Sequence, residues 1–180
     1  MANPNLLTIS GSLRKGSYNR KLLAVAVDAF GAADVTEADL NLPLYDGDLE
    51  EADGIPESVT KLAEQVAGAD AILIASPEYN KGIPGVLKNA FDWISRVPGG
   101  AFNGKPCVVM SAAAGRTGGE VANYMVTACL LALGPRLLPG PMVLVAGAHN
   151  EFDETGKMSN EIYLKAIQAR MDALRAAASE

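Results

Sequence analysis

The sequence contains few of the residues from which most metal sites and catalytic triads are built. Its 180 residues include two cysteines, Cys107 and Cys129, and a single histidine, His149. The cysteines are far apart and lack C-x-x-C spacing, which favours buried, reduced thiols over a redox role. One histidine offers little to a His-based metal site or a catalytic triad. We therefore expect no metal site and assign no catalytic side chain.

The sequence also lacks a surplus of positive charge and long hydrophobic runs. Its net charge is −6, which argues against a nucleic-acid partner, because no excess of cations is available to neutralise phosphates. No apolar run approaches the roughly 20 residues that a membrane-spanning helix needs. The opening segment has no cationic stretch followed by an apolar one, so we expect no secretory signal. These features predict a cytoplasmic protein without a membrane partner.

Short apolar runs alternate with helical patterns over the whole length. This alternation predicts an α/β fold with a parallel sheet and helices on both faces, as one domain over residues 1–180. The segment 41–54 is polar and turn-rich, and we expect it to be a surface loop. The predicted strands are 5–10, 34–39, 70–75, 105–111 and 142–146, and the predicted helices are 17–30, 56–67, 84–95, 118–133 and 159–177.

The predicted helix 118–133 is apolar on almost every side. Between Val121 and Leu133, Asn123 and Thr127 are the clearly polar residues. A surface helix of a monomer should show a polar face. We therefore predict that this helix packs on the sheet with one side and on another subunit with the other.

The segment that follows the first strand is suited to a phosphate. It runs from Ser10 to Asn19 with the sequence SGSLRKGSYN, and it leads into a helix. N–H groups at a helix N-terminus and neighbouring hydroxyls bind anions. The segment matches neither G-x-G-x-x-G nor a Walker A loop, because Ser17 stands where the Walker lysine would be. A plain turn with Ser17 as helix N-cap, and Arg14 and Lys15 as surface charges, remains the alternative.

Two further segments end predicted strands at the same edge of the sheet. The segment that starts at residue 76 (SPEYNKGIPG) offers a stiff turn, an aromatic ring and an amide beside a helix start. The segment 111–120 (SAAAGRTGGE) is made mainly of small residues, which allow the backbone to approach a ligand closely. Backbone donors beside an aromatic ring are suited to a flat heterocycle.

The stretches GSLRKGSYN, LPLYDGDLE, SPEYNKGIPGVLKNAFDW and SAAAGRTGG, in this order, resemble the NAD(P)H-dependent FMN reductase family. The segment EFDETGKMSN resembles the family's final loop. The resemblance implies a flavodoxin-like three-layer sandwich with strand order 2-1-3-4-5 and FMN at the switch between the first and third strands. It also implies a homodimer or homotetramer with FMN near a subunit boundary.

By the same resemblance, the first segment would hold the FMN phosphate, with Tyr18 and Asn19 acting partly through their backbone. Arg14 would either join these residues or face the nicotinamide nucleotide. The second segment would border the isoalloxazine ring, and the third would approach its pyrimidine side. The residues implied are Ser10, Ser12, Arg14, Ser17, Tyr18, Asn19, Pro77, Glu78, Tyr79, Asn80, Ser111 and Gly115.

Several residues of these segments can also be explained without a ligand. Glu78 is alternatively a solvated carboxylate, and Tyr79 a packing residue. For Trp93 we favour the core or an interface over ligand contact. Tyr45 and Asp46 either belong to a loop alone or border a partner subunit's site.

The activity implied is hydride transfer from NAD(P)H through FMN to quinones, flavins, azo compounds or metal oxyanions, with ping-pong kinetics. The alternatives are a flavodoxin-like electron carrier and a flavin-binding protein without catalysis. The residues leave open the physiological acceptor, the choice of NADH or NADPH, dimer against tetramer, and the roles of Arg14, Lys15 and Lys81.

Overall fold

The computed structural model describes residues 3–180, so Met1 and Ala2 of the predicted domain lie outside the described residues. The strands are β1 (Asn5–Ser10), β2 (Asp34–Glu37), β3 (Ala71–Ala75), β4 (Pro106–Ala112), β5 (Arg136–Leu137) and β6 (Val143–Val145). The helices are α1 (Tyr18–Phe30), α2 (Gly47–Asp53), α3 (Glu57–Gly68), α4 (Gly85–Arg96), α5 (Glu120–Leu131) and α6 (Glu161–Ala177), with a short 3₁₀ helix at Ala148–Asn150.

The sheet has the predicted order, β2-β1-β3-β4-β5, with every pair of neighbours parallel. The strands β3 and β4 are buried along their whole length, as their unbroken apolar sequences require of strands covered on both faces. One apolar cluster joins the sheet to α1 and α6, and the other joins it to α3, α4 and α5. The carboxyl ends of β1, β3 and β4 therefore meet at one edge between two helical layers.

The prediction of a single fifth strand was wrong in detail. Two short strands take its place, β5 beside the start of β4 and β6 beside its end. Pro139 and Pro141 lie between them and have no N–H group to donate to the sheet. The chain leaves β4 at this point and returns at Val143.

The prediction that 41–54 is an irregular loop was also wrong, because it contains α2. Asp46 accepts a hydrogen bond from the N–H of Asp48 and caps the helix. No residue of α2 is buried, so the segment shows no apolar periodicity by which to recognise a helix. The segment is instead held by α4: Asn89 bonds Tyr45 and Pro43, and the indole of Trp93 donates to the Pro43 carbonyl at 2.8 Å.

Trp93 is 2% exposed and packs edge-on against Tyr45, which confirms the prediction that it belongs to the core. Cys107 is buried as predicted, whereas Cys129 is only half-buried, and both thiols are free. Burial raises the pKa of the Cys107 thiol to about 12, so this thiol stays protonated at neutral pH.

Candidate functional site

The first loop, residues 10–19, folds around two buried hydroxyls. The Ser10 hydroxyl donates to the Ser12 carbonyl at 3.1 Å and accepts from the Ser12 N–H at 3.3 Å. The Ser12 hydroxyl accepts from the N–H of Arg14 at 3.3 Å. These contacts hold the loop in a tight curve above β1, with Arg14 and Lys15 exposed on its outer side.

The end of the first loop is the N-terminus of α1. Ser17 is the N-cap, and its hydroxyl accepts from the N–H of Asn19 at 3.2 Å. Within residues 3–180, the N–H groups of Lys15, Gly16 and Tyr18 donate to no protein acceptor. Free N–H groups and the positive end of a helix dipole together favour an anion. The N-cap role of Ser17 is thus compatible with a phosphate beside it.

The side chains of Tyr18 and Asn19, at the start of α1, contact other parts of the protein and do not extend over the first loop. The Asn19 amide is 2% exposed and bonds both backbone groups of Ala112, donating to the carbonyl and accepting from the N–H, each at 2.9 Å. The Tyr18 ring stacks on Phe152 with ring centres 6.2 Å apart. The Asn19 side chain is thus bonded to β4 and its N–H to the Ser17 hydroxyl, and a contact between Asn19 and the FMN phosphate stays a prediction.

The second loop, residues 76–84, rests directly against the first. A Cβ at Gly11 would lie 3.1 Å from the Pro77 ring and 3.2 Å from the Ser76 backbone, so a larger residue would push the loops apart. The Tyr79 hydroxyl lies 3.4 Å from the Ser12 hydroxyl. Sequence reasoning did not include Gly11, because nothing in the sequence marks which loop a glycine will face.

The second loop ends in a two-residue hairpin turn. Tyr79 and Gly82 exchange backbone hydrogen bonds of 3.0 and 3.2 Å, and Asn80 and Lys81 between them have φ values of 50° and 62°. Both central residues of such a turn require positive φ, which asparagine tolerates and lysine adopts only under constraint. Strain of this kind concentrates at functional sites. The turn presents Tyr79, 47% exposed, with Asn80 on the surface.

Glu78 caps α5 and is not a solvated carboxylate. Its Oε2 accepts from the N–H groups of Val121 and Ala122 at 3.0 and 3.4 Å, and its Oε1 pairs with Lys81 at 2.9 Å. The hydrogen bond from Lys81 and those from the α5 backbone hold the Glu78 pKa below its usual value, against an opposing effect of burial. Glu78 thereby fixes the turn to the first residues of α5.

The third loop, residues 113–119, lies very close to the neighbouring backbone. The Ser111 hydroxyl is fully buried and lies within hydrogen-bond distance of two carbonyl oxygens as their donor. These are the carbonyl of Ser76 at 2.9 Å and that of Gly119 at 3.1 Å. Gly118 has φ 61°, and a Cβ there would lie 2.6 Å from the Leu144 backbone. Gly115, by contrast, is exposed with nothing within 4 Å of an added Cβ. The Ser111 side chain is therefore used within the protein, and the approach of Ser111 to the flavin ring stays a prediction.

The segment after β6 completes this edge. The Gly147 N–H donates to the Gly115 carbonyl at 3.2 Å, and His149 beside it is exposed. Arg116 is exposed on the third loop. In the described part of the chain, no group of three or more His, Cys, Asp or Glu residues could hold a metal ion.

These loops form an open surface. Arg14, Lys15, Tyr79, Asn80 and Gly115 are all exposed. A groove of about 640 Å³ lies elsewhere, between α1, α6 and residues 155–158. A surface with free N–H groups at one end and an exposed aromatic ring at the other suits a phosphate attached to a flat ring system. No helix among residues 3–180 has the length and apolar character needed to cross a membrane.

Comparison with known proteins agrees with this geometry. The chain matches the family described as NADPH-dependent FMN reductase over residues 4–150. It is 41% identical over 172 residues to an NAD(P)H-dependent FMN reductase of Pseudomonas aeruginosa, covering 94% of this chain and 92% of that protein. It is 33% identical over 172 residues to a quinone reductase of Escherichia coli, covering 93% and 92%.

A solved structure extends the similarity to three dimensions. The flavoenzyme NAD(P)H:(acceptor) oxidoreductase FerB of Paracoccus denitrificans superimposes with a TM-score of 0.87 at 31% identity, over 98% of this chain and 97% of that one.

Proposed function

Because this chain belongs to the NADPH-dependent FMN reductase family and is an oxidoreductase that uses FMN and NAD(P)H, we propose that it reduces quinones and related acceptors. Flavins, azo compounds and metal oxyanions are the further acceptor classes. One observation carries the proposal. The N-terminus of α1, with its free N–H groups, lies at the same edge of the sheet as the turn that exposes Tyr79. We propose one FMN-binding domain over residues 1–180, in the reducing cytoplasm, where the two free thiols would persist.

The phosphate of FMN is proposed to bind at the start of α1. Its donors would be the N–H groups of Lys15, Gly16 and Tyr18, with the Ser17 hydroxyl beside them. Ser10 and Ser12 would act mainly by shaping the loop, since their hydroxyls already bond within it. Arg14 is exposed at this end, where its charge would attract the phosphate of FMN or of the nicotinamide nucleotide.

The ring system is proposed to lie between the second and third loops. Pro77, Tyr79 and Asn80 would border it on one side and Gly115 on the other. Glu78 and Ser111 would act as positioning residues, because Glu78 fixes the Tyr79 turn to α5 and Ser111 ties β4 to the loops around it. The strained backbone at Asn80 and Lys81 would then hold its N–H groups at a set place beside the ring.

When bound, FMN would supply the redox chemistry, which is the acceptance of hydride from NAD(P)H and the later reduction of an acceptor in a separate half-reaction, and we expect ping-pong kinetics from it. The chain's own contribution is to anchor, orient and leave one face open. No side chain is needed as acid or base, and His149, exposed beside Asn150, is assigned no role.

The apolar side of α5 is proposed to be the subunit interface. Val121, Tyr124, Met125 and Leu131 are 37–71% exposed on this helix, and Met125 lies about 4.0 Å from where a Cβ of Gly82 would be. Exposed apolar patches of this kind mark association sites. The interface would therefore adjoin the second loop, and a homodimer or homotetramer would place FMN near a subunit boundary.

The test combines flavin binding with turnover. Purified protein is titrated with FMN and then mixed with NADH or NADPH and a quinone, while nicotinamide oxidation is followed by absorbance. Many turnovers per protein, with parallel lines in double-reciprocal plots, are expected of the ping-pong reductase. Tight FMN binding without nicotinamide oxidation would replace the proposal with an electron carrier, and failure to bind FMN would end it.

A further inference from the structure

Two arginines have side chains without a protein partner, and both lie on loops of the candidate site. In residues 3–180, the side chains of Arg14 and Arg116 are exposed and form neither a hydrogen bond nor an ion pair. The other arginines donate to a carboxylate or to backbone carbonyls; they are Arg20, Arg96, Arg136, Arg170 and Arg175. A guanidinium carries five donors, and its natural complement is an oxyanion.

The three loops of the site are positively charged, although the chain as a whole has a net charge of −6. Together they carry four cations and one carboxylate. The cations are Arg14, Lys15, Lys81 and Arg116, and the carboxylate is that of Glu78. A surface patch of one sign raises the local concentration of ligands of the opposite sign. The site therefore favours anionic ligands, which the rest of the protein repels.

Arg116 is the one of these cations whose charge the proposed function does not use. Arg14 and Lys15 adjoin the proposed phosphate site, and Lys81 pairs with Glu78 at 2.9 Å. Arg116 instead follows Gly115, which is proposed to border the flavin ring. An oxidised flavin ring carries no net charge, so it offers Arg116 no counter-ion. None of the ion pairs among residues 3–180 joins Arg116 to a carboxylate of the protein.

The backbone on either side of Arg116 is fixed. The carbonyl of Gly115 accepts a hydrogen bond from the N–H of Gly147 at 3.2 Å. Gly118 has φ 61°, and a Cβ there would lie 2.6 Å from the Leu144 backbone, so this part of the loop is closely packed. Gly115 has no side chain to stand between Arg116 and the proposed ring. The loop thus presents a guanidinium beside the surface on which an acceptor would stack.

We propose that Arg116 is a specificity-determining residue, which favours flat acceptors with a sulfonate or carboxylate group over neutral ones. The inference rests on the proposed function, because it places Arg116 beside an acceptor that uses the FMN ring. A planar guanidinium pairs with two oxygens of such a group at once. A neutral quinone offers no anionic partner and gains nothing from the charge of Arg116.

The first measurement compares naphthoquinone with its monosulfonate as acceptor. One NAD(P)H and one proton reduce one molecule of either quinone to its hydroquinone. The ratio of the two kcat/KM values, sulfonate over neutral, is compared between variants, so that the intrinsic reactivities of the quinones cancel. Arg116→Gln is expected to lower this ratio about 3- to 10-fold. Arg116→Lys should retain part of it, because lysine keeps the charge but loses the two-point geometry.

The second measurement needs no turnover. Naphthalene monosulfonate has a flat ring and a negative charge but is not an acceptor, and naphthol is its neutral counterpart. Calorimetric titration of FMN-saturated protein gives a dissociation constant for each. Arg116→Gln should raise that of the sulfonate about 3- to 10-fold and leave that of naphthol unchanged. Added salt should weaken sulfonate binding in the wild type more than in Arg116→Gln, because salt screens exposed charges.

Lys105→Gln is the matched control for net charge. Lys105 directly precedes β4, at the opposite end of this strand from the third loop, and forms no ion pair among residues 3–180. The substitution removes the same charge as Arg116→Gln. Its ratio of kcat/KM values and its two dissociation constants should equal those of the wild type. Melting temperatures of both variants should match the wild type, since neither side chain is bonded within the described chain.

Three results would overturn the inference. The first is an unchanged ratio in Arg116→Gln, including an equal loss for both quinones, which would assign the guanidinium to the flavin itself. The second is a dissociation constant for naphthalene monosulfonate that does not depend on Arg116. The third is an equal change in Lys105→Gln, which would assign the effect to net charge.

Failure of the proposed function gives a different result. Sulfonate binding that depends on Arg116, in a protein that reduces neither quinone, would end the proposed function and support the contact made by Arg116. Reduction of both quinones without any effect of Arg116 would do the reverse. A chain that binds no FMN would overturn both.

Discussion

At the scale of single residues, the site is held together by side chains that point away from its surface. Asn19, Glu78 and Ser111 each use their polar atoms on backbone groups of neighbouring elements. Sequence reasoning assigned all three to ligand contact, because residue type and position in a loop do not reveal which way a side chain turns. Their contribution is to set the loops that carry Tyr79 and Gly115.

Replacement of Asn19 by alanine is expected to destabilise the fold. Two buried backbone groups of Ala112 would lose their partners, at a cost of about 2–4 kcal/mol in the free energy of unfolding. Urea unfolding measures this change. Asn150→Ala is the control, since Asn150 is exposed and bonds the His149 ring alone, and it should fall within about 0.5 kcal/mol of the wild type. A stable Asn19→Ala protein with weakened FMN binding would restore the ligand role.

Two glycines of the third loop should respond in opposite ways. Gly118→Ala places a Cβ against the Leu144 backbone at φ 61° and should lower the free energy of unfolding by about 2 kcal/mol or more. Gly115→Ala meets nothing within 4 Å and should leave stability unchanged, yet raise the dissociation constant for FMN if the ring lies over it. Chemical unfolding and fluorescence titration separate the two effects. An unchanged FMN affinity in Gly115→Ala would show that the flavin ring does not lie over this residue.

At the scale of elements, the sequence predicted best where burial imposes a period or an unbroken apolar run. The buried strands β3 and β4 and the amphipathic α1, α3 and α4 were located within a few residues. α2 was missed because nothing in it is buried, and the split last strand was missed because the apolar run resumes only after Pro141. Both are held by tertiary contacts: Arg96 of α4 donates to Glu50 of α2, and Arg170 donates to the carbonyls of residues 138–139.

The Glu78 cap on α5 makes a pH-dependent contribution to stability. Its pKa is depressed in the fold, so the ionised form stabilises the protein above the unfolded pKa near 4.5, and this contribution is lost as the pH falls through the lower folded value. Glu78→Gln keeps an oxygen acceptor but removes the charge, and should cost about 0.5–1 kcal/mol near neutral pH. Unfolding curves at neutral pH and below pH 4.5 should show the difference shrinking in acid. Glu64→Gln, on the exposed side of α3, is the control and should show no such trend. If the stability difference caused by Glu78→Gln persisted in acid, the charge of Glu78 would not be its cause.

At the scale of the whole molecule, α5 connects the proposed site to the proposed interface. Its N-terminus holds Glu78, its inner face packs on the sheet, and its outer face is apolar and exposed. The sequence predicted this two-sided helix from its lack of a polar face.

Charges placed on the outer face of α5 should dissociate the oligomer. Tyr124→Glu and Leu131→Glu, at positions 58% and 71% exposed, are expected to yield monomers by analytical ultracentrifugation with little loss of monomer stability. Ile162→Glu is the matched control, because Ile162 is 80% exposed on α6, and its oligomeric state should be that of the wild type. A monomeric wild type, or an oligomer unchanged in both α5 variants, would contradict this interface.

The sequence by itself determined the alternation of strands and helices, the parallel sheet and the edge at which its loops gather, because local pattern and chain connectivity fix these features. Only the tertiary structure decided which polar side chains are exposed on the loops and which form hydrogen bonds inside the protein. That division depends on which backbone groups are left unpaired when distant segments meet, such as Asn19 with Ala112 or Arg170 with Pro139. No periodicity along the chain encodes such a meeting.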